Sequence, residues 1–271
     1  VQYVIDTLTK NDYEAFLVGG CVRDILLDTK PKDYDITTNA LPEQVMSLFS
    51  KTIPTGLKHG TVTVLINDTP YEVTTYRIDG DYKDNRRPED VQFVSSLKDD
   101  LSRRDFTINA LAYNNKDGLQ DFFNGTEDLS SRLIKAVGDA DKRFNEDALR
   151  MLRAIRFSCQ LNFNIELKTL KAIEKNSSLI LNISSERIRD ELCKILTSPN
   201  PVKGFRLLNS TGILKYILPE LQKAVGFDQK TPYHDKDIFE HTLSVVEKVP
   251  NNLTFWLAAL FHDIAKPQCF F

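Results

Sequence analysis

Leu17-Val18-Gly19-Gly20-Cys21-Val22-Arg23-Asp24, followed shortly by Asp33-Tyr34-Asp35, is the stretch whose reading decides the fold. An apolar run ends in a glycine pair and passes into a segment expected to be helical. Glycine lets a ligand approach the backbone closely. A helix starting after Gly20 would aim free N–H groups and a positive dipole end at phosphates. Arg23, one turn in, adds charge. Asp33 and Asp35 stand at i and i+2 of an expected strand and share a face. Two such carboxylates can hold two divalent metals about 3.5–4 Å apart, one activating an attacking hydroxyl and one steadying a leaving pyrophosphate. A glycine turn alone is weak, and a pair of acids on a surface strand is weaker. Their order and short spacing together point to nucleotidyl transfer. Glu72, on a neighbouring expected strand, is either a third carboxylate of that site or a solvated strand residue.

The chain has 271 residues, 41% of them hydrophobic. That is enough for about two domains of roughly 100–200 residues each. The net charge of −3 and the pI of about 5.9 name no nucleic-acid partner, so any such site must be a local basic patch. Cys21, Cys159, Cys193 and Cys269 are scattered, with no CxxC pair. This fits a reducing cytoplasm, with no disulfide framework and no structural zinc site. No signal peptide is visible, and the apolar stretch 255–261 is far too short to cross a bilayer. The first residue is Val1 and not Met, so a short upstream piece is expected. Nothing in the sequence names an oligomeric state.

The organisation changes near residue 120. Before it, β-rich runs fall at 15–18, 34–37, 61–66, 71–76 and 91–94, with Pro70 marking the turn of an expected hairpin. Helices fit 1–10, 22–27 and 42–49, the last opening on Leu41-Pro42-Glu43 with proline in the first turn. After residue 140 the pattern is helical. Asn145-Glu146-Asp147-Ala148 reads as an N-cap and acidic first turn, and Ser184-Ser185-Glu186 opens another helix that Ser198-Pro199-Asn200-Pro201 ends. The expected fold class is α+β, a mixed-sheet head with flanking helices followed by an all-α remainder.

Six segments carry a resemblance. The two opening motifs are joined by Arg103-Arg104-Asp105-Phe106-Thr107-Ile108-Asn109-Ala110, by 121–129 with Gly125 and Asp128, by Glu146-Asp147-Ala148-Leu149-Arg150 extended through Arg153 and Arg156, and by Ser185-Glu186-Arg187-Ile188. In this order they resemble the bacterial class II tRNA nucleotidyltransferase and poly(A) polymerase family. The resemblance implies a nucleotidyltransferase head over 1–120, a neck with base recognition over 121–190 and a tRNA-binding body over 191–233. It implies Mg2+ on Asp33 and Asp35, ATP and CTP as substrates, and the tRNA 3′ end as partner, with no membrane involved. Nucleotide binding then falls to Gly19, Gly20, Arg23, Arg104, Asp105, Asp147, Arg150, Arg153 and Arg156. Arg104 is assigned the triphosphate and Asp105 a ribose hydroxyl. Asp105 would equally cap a helix running into 108–112.

Asp147 and Arg150, at i and i+3, share a helix face. Cytosine and adenine both present an amino donor beside a ring-nitrogen acceptor. A carboxylate can accept from the first while a guanidinium donates to the second. Uracil and guanine reverse that polarity and would leave buried polar groups unpaired, at about 1–3 kcal/mol each. The resemblance gives this pair the role of admitting CTP and ATP. From Lys142 to Phe157 five Lys/Arg face two Asp/Glu, a local charge of +3, with Leu149, Leu152 and Ile155 as an apolar stripe. A solvated charged face is the bland alternative; the imbalance favours a basic face turned to a polyanion.

Pro54-Thr55-Gly56-Leu57-Lys58-His59-Gly60-Thr61-Val62 resembles the tRNA-specific members. The polar segment 75–88 resembles the flexible loop retained by enzymes that add the terminal A. Complete CCA addition is therefore expected, with A-only addition or poly(A) synthesis as alternatives. Lys203 and Arg206 are candidate tRNA contacts. His241 and His262-Asp263 resemble the start of an HD domain, so 234–271 is expected to be the first part of a truncated tail. No acid follows Asp263, which leaves the metal set of such a domain incomplete. His59 and His234 have no partner visible in sequence.

Overall fold

The strand Ala15–Val18 buries all four of its side chains, and that sets the architecture of the first half of this computed structural model. Successive strand side chains point to opposite faces. Ala15 and Leu17 join a core with Val4, Ile5 and Leu8 of the helix Gln2–Lys10 and Val45 of the helix Pro42–Leu48. Phe16 and Val18 join a second core with Tyr76, Val137, and Leu97 and Leu101 of the helix Leu97–Ser102. The sheet is thus covered on both faces, and this inner strand reads as a continuous apolar run. The structure describes residues 1–80, 82–83, 87–88, 91–228, 236–250 and 252–269. Residues 81 and 84–86 of the expected loop 75–88 lie outside them, as does His234.

The sheet has seven strands in the order Gly118–Asp121, Leu111–Asn114, Ala15–Val18, Asp35–Thr38, Thr69–Thr75, Thr61–Ile66, Thr52–Gly56. Asp35–Thr38 runs parallel to Thr69–Thr75 and the other neighbours are antiparallel, so the sheet is mixed. The hairpin forms, but its turn is Asn67-Asp68, both at positive φ, and Pro70 lies within the strand opposite Leu65. Two central residues at φ > 0 match the right-handed twist of the strands they join. Val91–Phe93 pairs with Arg77–Asp79 in a separate ribbon. The helix expected into 108–112 is a single 3-10 turn, Thr107–Asn109, after which Leu111–Asn114 enters the sheet.

The chain folds as two compact units, Val1–Lys83 with Arg87–Asp139, and the helical part from Ala140 onward. The last strand of the seven-stranded sheet ends near residue 120, where the local pattern changes, and the second unit begins at Ala140, where the pattern turns helical throughout. Gly118–Asp121 completes the sheet, and Asp121 caps the next helix, Gly125–Ser130, by accepting from the N–H groups of Phe123, Gly125 and Thr126. That helix packs on the Thr107–Asn109 turn so closely that a Cβ on Gly125 would lie 2.3 Å from the Thr107 carbonyl oxygen.

In the second unit Leu149–Leu161, Ser185–Leu196 and Pro201–Ser210 pack together. Gly204 makes this possible, since a Cβ there would lie 2.4 Å from Ile195 Cγ2 and 2.9 Å from Cys159 Sγ. The helix expected to open at Asn145 does not. Ala140–Glu146 is a helix of its own, and Leu149–Leu161 begins after a break at Asp147-Ala148. Asp147 accepts from the Leu149 N–H at 3.0 Å, and such local bonding by an Asp side chain competes with helix continuation. Among the described residues, no helix is long and apolar enough to cross a membrane.

Candidate active site

Gly19 follows the strand Ala15–Val18 at φ 79° and ψ −130°, a conformation L side chains rarely adopt. A Cβ there would meet Arg104 Nη1 at 2.8 Å. The missing side chain thus lets the guanidinium lie against the backbone where the helix Gly20–Leu26 begins. At Gly20 a Cβ would find only ordinary contact with Arg23, so its position is sterically less demanding. Arg104 Nε is buried and has no hydrogen-bond partner among the described residues. A cation so placed, with donors to spare, suits a phosphate.

Asp35 opens its strand directly opposite Glu72. Asp33 precedes the strand on an exposed bend, so the two acids do not project from one strand face as the i, i+2 spacing implied. Burial pushes the Asp35 carboxyl up; Arg104 draws it down, and Glu72 and Asp33 push it up again. Arg104, Glu72 and Asp33 therefore all act on one half-buried carboxylate. The carboxylate oxygens of Asp33 and Asp35 are hard donors of the kind Mg2+ takes; among the described residues Glu72 does not join them in a three-ligand cluster. Cys21 lies beneath, its Sγ 3.4 Å from the Val18 carbonyl, and burial pushes its thiol up.

Arg23 is buried and engaged: Nη1 donates to Asn109 Oδ1 at 2.6 Å, and Nε and Nη2 donate to Asp24 Oδ1 at 2.9 and 2.6 Å. Asn109 Nδ2 donates to Asp105 Oδ1 at 3.2 Å, which also accepts from the Phe106 N–H. Asp105 caps no α-helix. Asn109 joins the phosphate side of the cradle to the expected ribose carboxylate. It lies inside the Arg103–Ala110 motif but carries no charge to mark it.

In the second unit, each member of the expected base-reading pair has its own partner. Asp147 Oδ2 accepts from Arg187 Nη2 at 2.9 Å, and Arg150 Nη1 donates to Glu146 Oε2 at 2.7 Å. Arg156 Nε donates to buried Glu191 at 2.6 Å, and the guanidiniums of Arg153 and Arg156 lie over the Phe157 ring at 5.4 and 4.1 Å. Arg143 pairs with Glu146 as well. Arg143, Arg150 and Arg156 are thus paired with acids of the unit, but Glu146 is already counted in the local +3 and of these acids only Glu191 offsets it further. Lys203 donates to the Phe163 carbonyl and Arg206 pairs with Glu240. His241, His262 and Asp263 do come together, with one ligand atom of each within 4.8 Å of the others, and Lys266 Nζ bonds Asp263 at 2.7 Å.

Two family models match the chain. "Poly A polymerase head domain" covers residues 15–135, and "Probable RNA and SrmB- binding site of polymerase A" covers 162–225. The CCA-adding enzyme of Lactobacillus helveticus is 52% identical over 208 residues, 77% of this chain and 52% of that enzyme. The CCA-adding enzyme of Lactobacillus delbrueckii subsp. bulgaricus is 46% identical over 252 residues, 91% of this chain and 63% of that enzyme. Among solved structures, the Bacillus stearothermophilus CCA-adding enzyme in complex with CTP superposes with a TM-score of 0.75 at 33% identity, covering 99% of this chain and 77% of that one. The chain spans about half the length of several curated relatives, as for the 52% of the first of them. Fold and matches define a nucleotidyltransferase-type head followed in sequence by a helical region. The chain belongs to the tRNA nucleotidyltransferase and poly(A) polymerase family, on the side of the CCA-adding enzymes.

Proposed function

We propose that the chain carries the catalytic and base-reading parts of a cytoplasmic CCA-adding enzyme. It adds C, C and A to the 3′ end of tRNA from CTP and ATP, without a nucleic-acid template and with release of pyrophosphate. The observation that carries this reading is the meeting of Gly19, Arg104 and Asp35 in one cradle. The names of the curated relatives, and the CTP in the Bacillus stearothermophilus structure, favour CCA addition over poly(A) synthesis.

Asp33 and Asp35 would hold Mg2+. When bound, it supplies charge for the attacking 3′ hydroxyl and for the departing pyrophosphate. Arg104 grips the triphosphate through donors that its neighbours leave open, and the bare Gly19-Gly20 backbone lets phosphate oxygens approach. Arg23 and Asn109 hold Asp105 for the ribose. Asp147 accepts from the exocyclic amino group of C or A, steadied by Arg187. Arg150 donates to the ring nitrogen, pre-aligned by Glu146. Arg153 and Arg156 stiffen that helix through Phe157 and Glu191. The helical body, including 191–233, takes the acceptor arm by its phosphates and shape.

The test is addition to tRNAs ending before the tail, after C and after CC, with each of the four nucleotides. C, C and A should enter in order, and UTP and GTP should be refused. Long A tails from ATP alone would overturn the choice. Asp147→Ala should relax the exclusion of UTP and GTP by about 10–100-fold. Unchanged exclusion in that variant would remove Asp147 from base reading.

A further inference from the structure

Asp100 is a fully buried carboxylate beneath the cradle, and the proposed chemistry gives it no part. It sits on the helix Leu97–Ser102 at 0% exposure, on the same inward face as Leu97 and Leu101. An acid in such a place is costly unless it is paired. Its Oδ1 accepts from Arg103 Nε at 3.0 Å and Nη2 at 2.8 Å, and from the Arg77 N–H at 3.4 Å. Its Oδ2 lies 3.1 Å from Thr37 Oγ1 and 3.7 Å from Arg104 Nη2. Burial alone would push this carboxyl up. The guanidiniums of Arg103 and Arg104, with hydrogen bonds from Arg103 and Thr37, bring it below the usual range, so it is ionised at neutral pH.

The two oxygens do different things. Oδ1 is saturated by Arg103 and the Arg77 backbone. Oδ2 accepts from the Thr37 hydroxyl, which it shares with the Thr74 carbonyl at 3.2 Å, and Thr37 stands two residues from Asp35 on the same strand. Oδ2 faces Arg104 from beyond hydrogen-bonding range. An anion at 3.7 Å attracts a guanidinium without consuming its donors. Of the acids acting on Arg104, Asp100 acts most strongly, ahead of Asp35 and Asp105.

We infer that Asp100 is a positioning residue for nucleotide binding: it fixes the Arg104 guanidinium against Gly19 and beside Asp35, with its donors open to the triphosphate. The inference rests on the function proposed above. Asp100 touches no phosphate and acts through Arg104.

Asp100→Asn keeps the shape and removes the charge. In steady-state addition to a tail-less tRNA and to one ending in CC, the KM for CTP and for ATP should rise together by about 10–100-fold. The KM for tRNA and the refusal of UTP and GTP should not move. Pyrophosphate, used as an inhibitor, should weaken by a similar factor, because Arg104 grips phosphates and not the base. In an Arg104→Lys background the further change from Asp100→Asn should fall below about threefold, since both substitutions act through one contact. A purely structural role gives a lower Tm and less active protein with unmoved nucleotide KM and pyrophosphate inhibition, and that pattern overturns the inference. If Asp100→Asn does not fold, Thr37→Val removes the hydroxyl from Oδ2 and should raise the same KM values by about 2–5-fold; unmoved values overturn the inference there too. A wild-type chain that adds no nucleotide overturns the functional reading and this inference with it. An active wild type beside an unmoved Asp100→Asn overturns the inference alone.

Discussion

Gly19→Ala probes the cradle at the scale of one carbon atom. The added Cβ would stand 2.8 Å from Arg104 Nη1, on a backbone at φ 79° that alanine resists. Something must shift, and the cheapest shift is the guanidinium moving off its seat. A displacement of about 1 Å at such a group costs roughly 100-fold in rate. Single-turnover addition of C should therefore slow by about that factor, while tRNA binding in a filter assay stays within about twofold. The sequence marks Gly19, Asp33, Asp35 and Arg104 because glycines and charges at short spacing are visible locally. It does not mark Asp100, which on one helix turn reads as an ordinary surface acid. Nor does it show that Arg23 is held inward, since its partner Asn109 lies 86 residues away. Arg156 is a parallel case, with Glu191 35 residues off.

Among the elements, the turn from Asp121 to Gly125 offers a pH test. Burial would raise the Asp121 carboxyl, but N–H groups of Thr126, Gly125 and Phe123 and the Thr126 hydroxyl hold it below the usual range. A carboxyl depressed in the folded state stabilises fully above its unfolded value, here near 3.8, and loses that contribution as pH falls through the lower folded value. Urea midpoints of the chain and of Asp121→Asn should thus differ most at neutral pH and converge below about pH 4. A gap independent of pH would mean that the charge plays no part. Four of the seven sheet strands, Ala15–Val18, Asp35–Thr38, Thr61–Ile66 and Thr69–Thr75, are legible from alternation and punctuation, whereas Thr52–Gly56 and Gly118–Asp121 are not. Leu111–Asn114 is not, because the preceding Arg-Asp-Phe-Thr run looks like a helix start and only pairing with Ala15–Val18 makes the segment a strand. The break at Asp147 is hidden for the opposite reason: an Asp near a helix start reads as favourable capping charge, while its side chain ends one helix and begins the next.

For the molecule as a whole, the two compact units give a further expectation. The chain has one tryptophan, Trp256, buried in the helical unit. Gly204→Ala overpacks that unit against Ile195 and Cys159, a change that costs about 1–3 kcal/mol. It should lower the melting midpoint seen by Trp256 fluorescence. Gly125→Ala, overpacked against the Thr107 backbone in the first unit, should lower the midpoint seen by far-ultraviolet dichroism of the sheet and leave the tryptophan signal in place. If both substitutions move the tryptophan signal equally, the units melt as one. At this scale the sequence shows an α+β head before a helical remainder, with the residues from 121 to 139 joining the first unit. The composition shift near 120 is a property of local pattern, whereas membership of a unit follows from what Asp121 and Gly125 touch.

The thiol under the cradle has a consequence for durability. Cys21 is 2% exposed and Cys159 fully buried, and burial holds both protonated, Cys159 with a pKa pushed up to about 12. Only a thiolate attacks electrophiles at an appreciable rate. Peroxide or a maleimide will therefore find exposed Cys269 first, while the sulfur packed beneath Gly19 and Asp35 stays inert. An oxidising burst that modifies this chain at its surface leaves the phosphate seat chemically untouched.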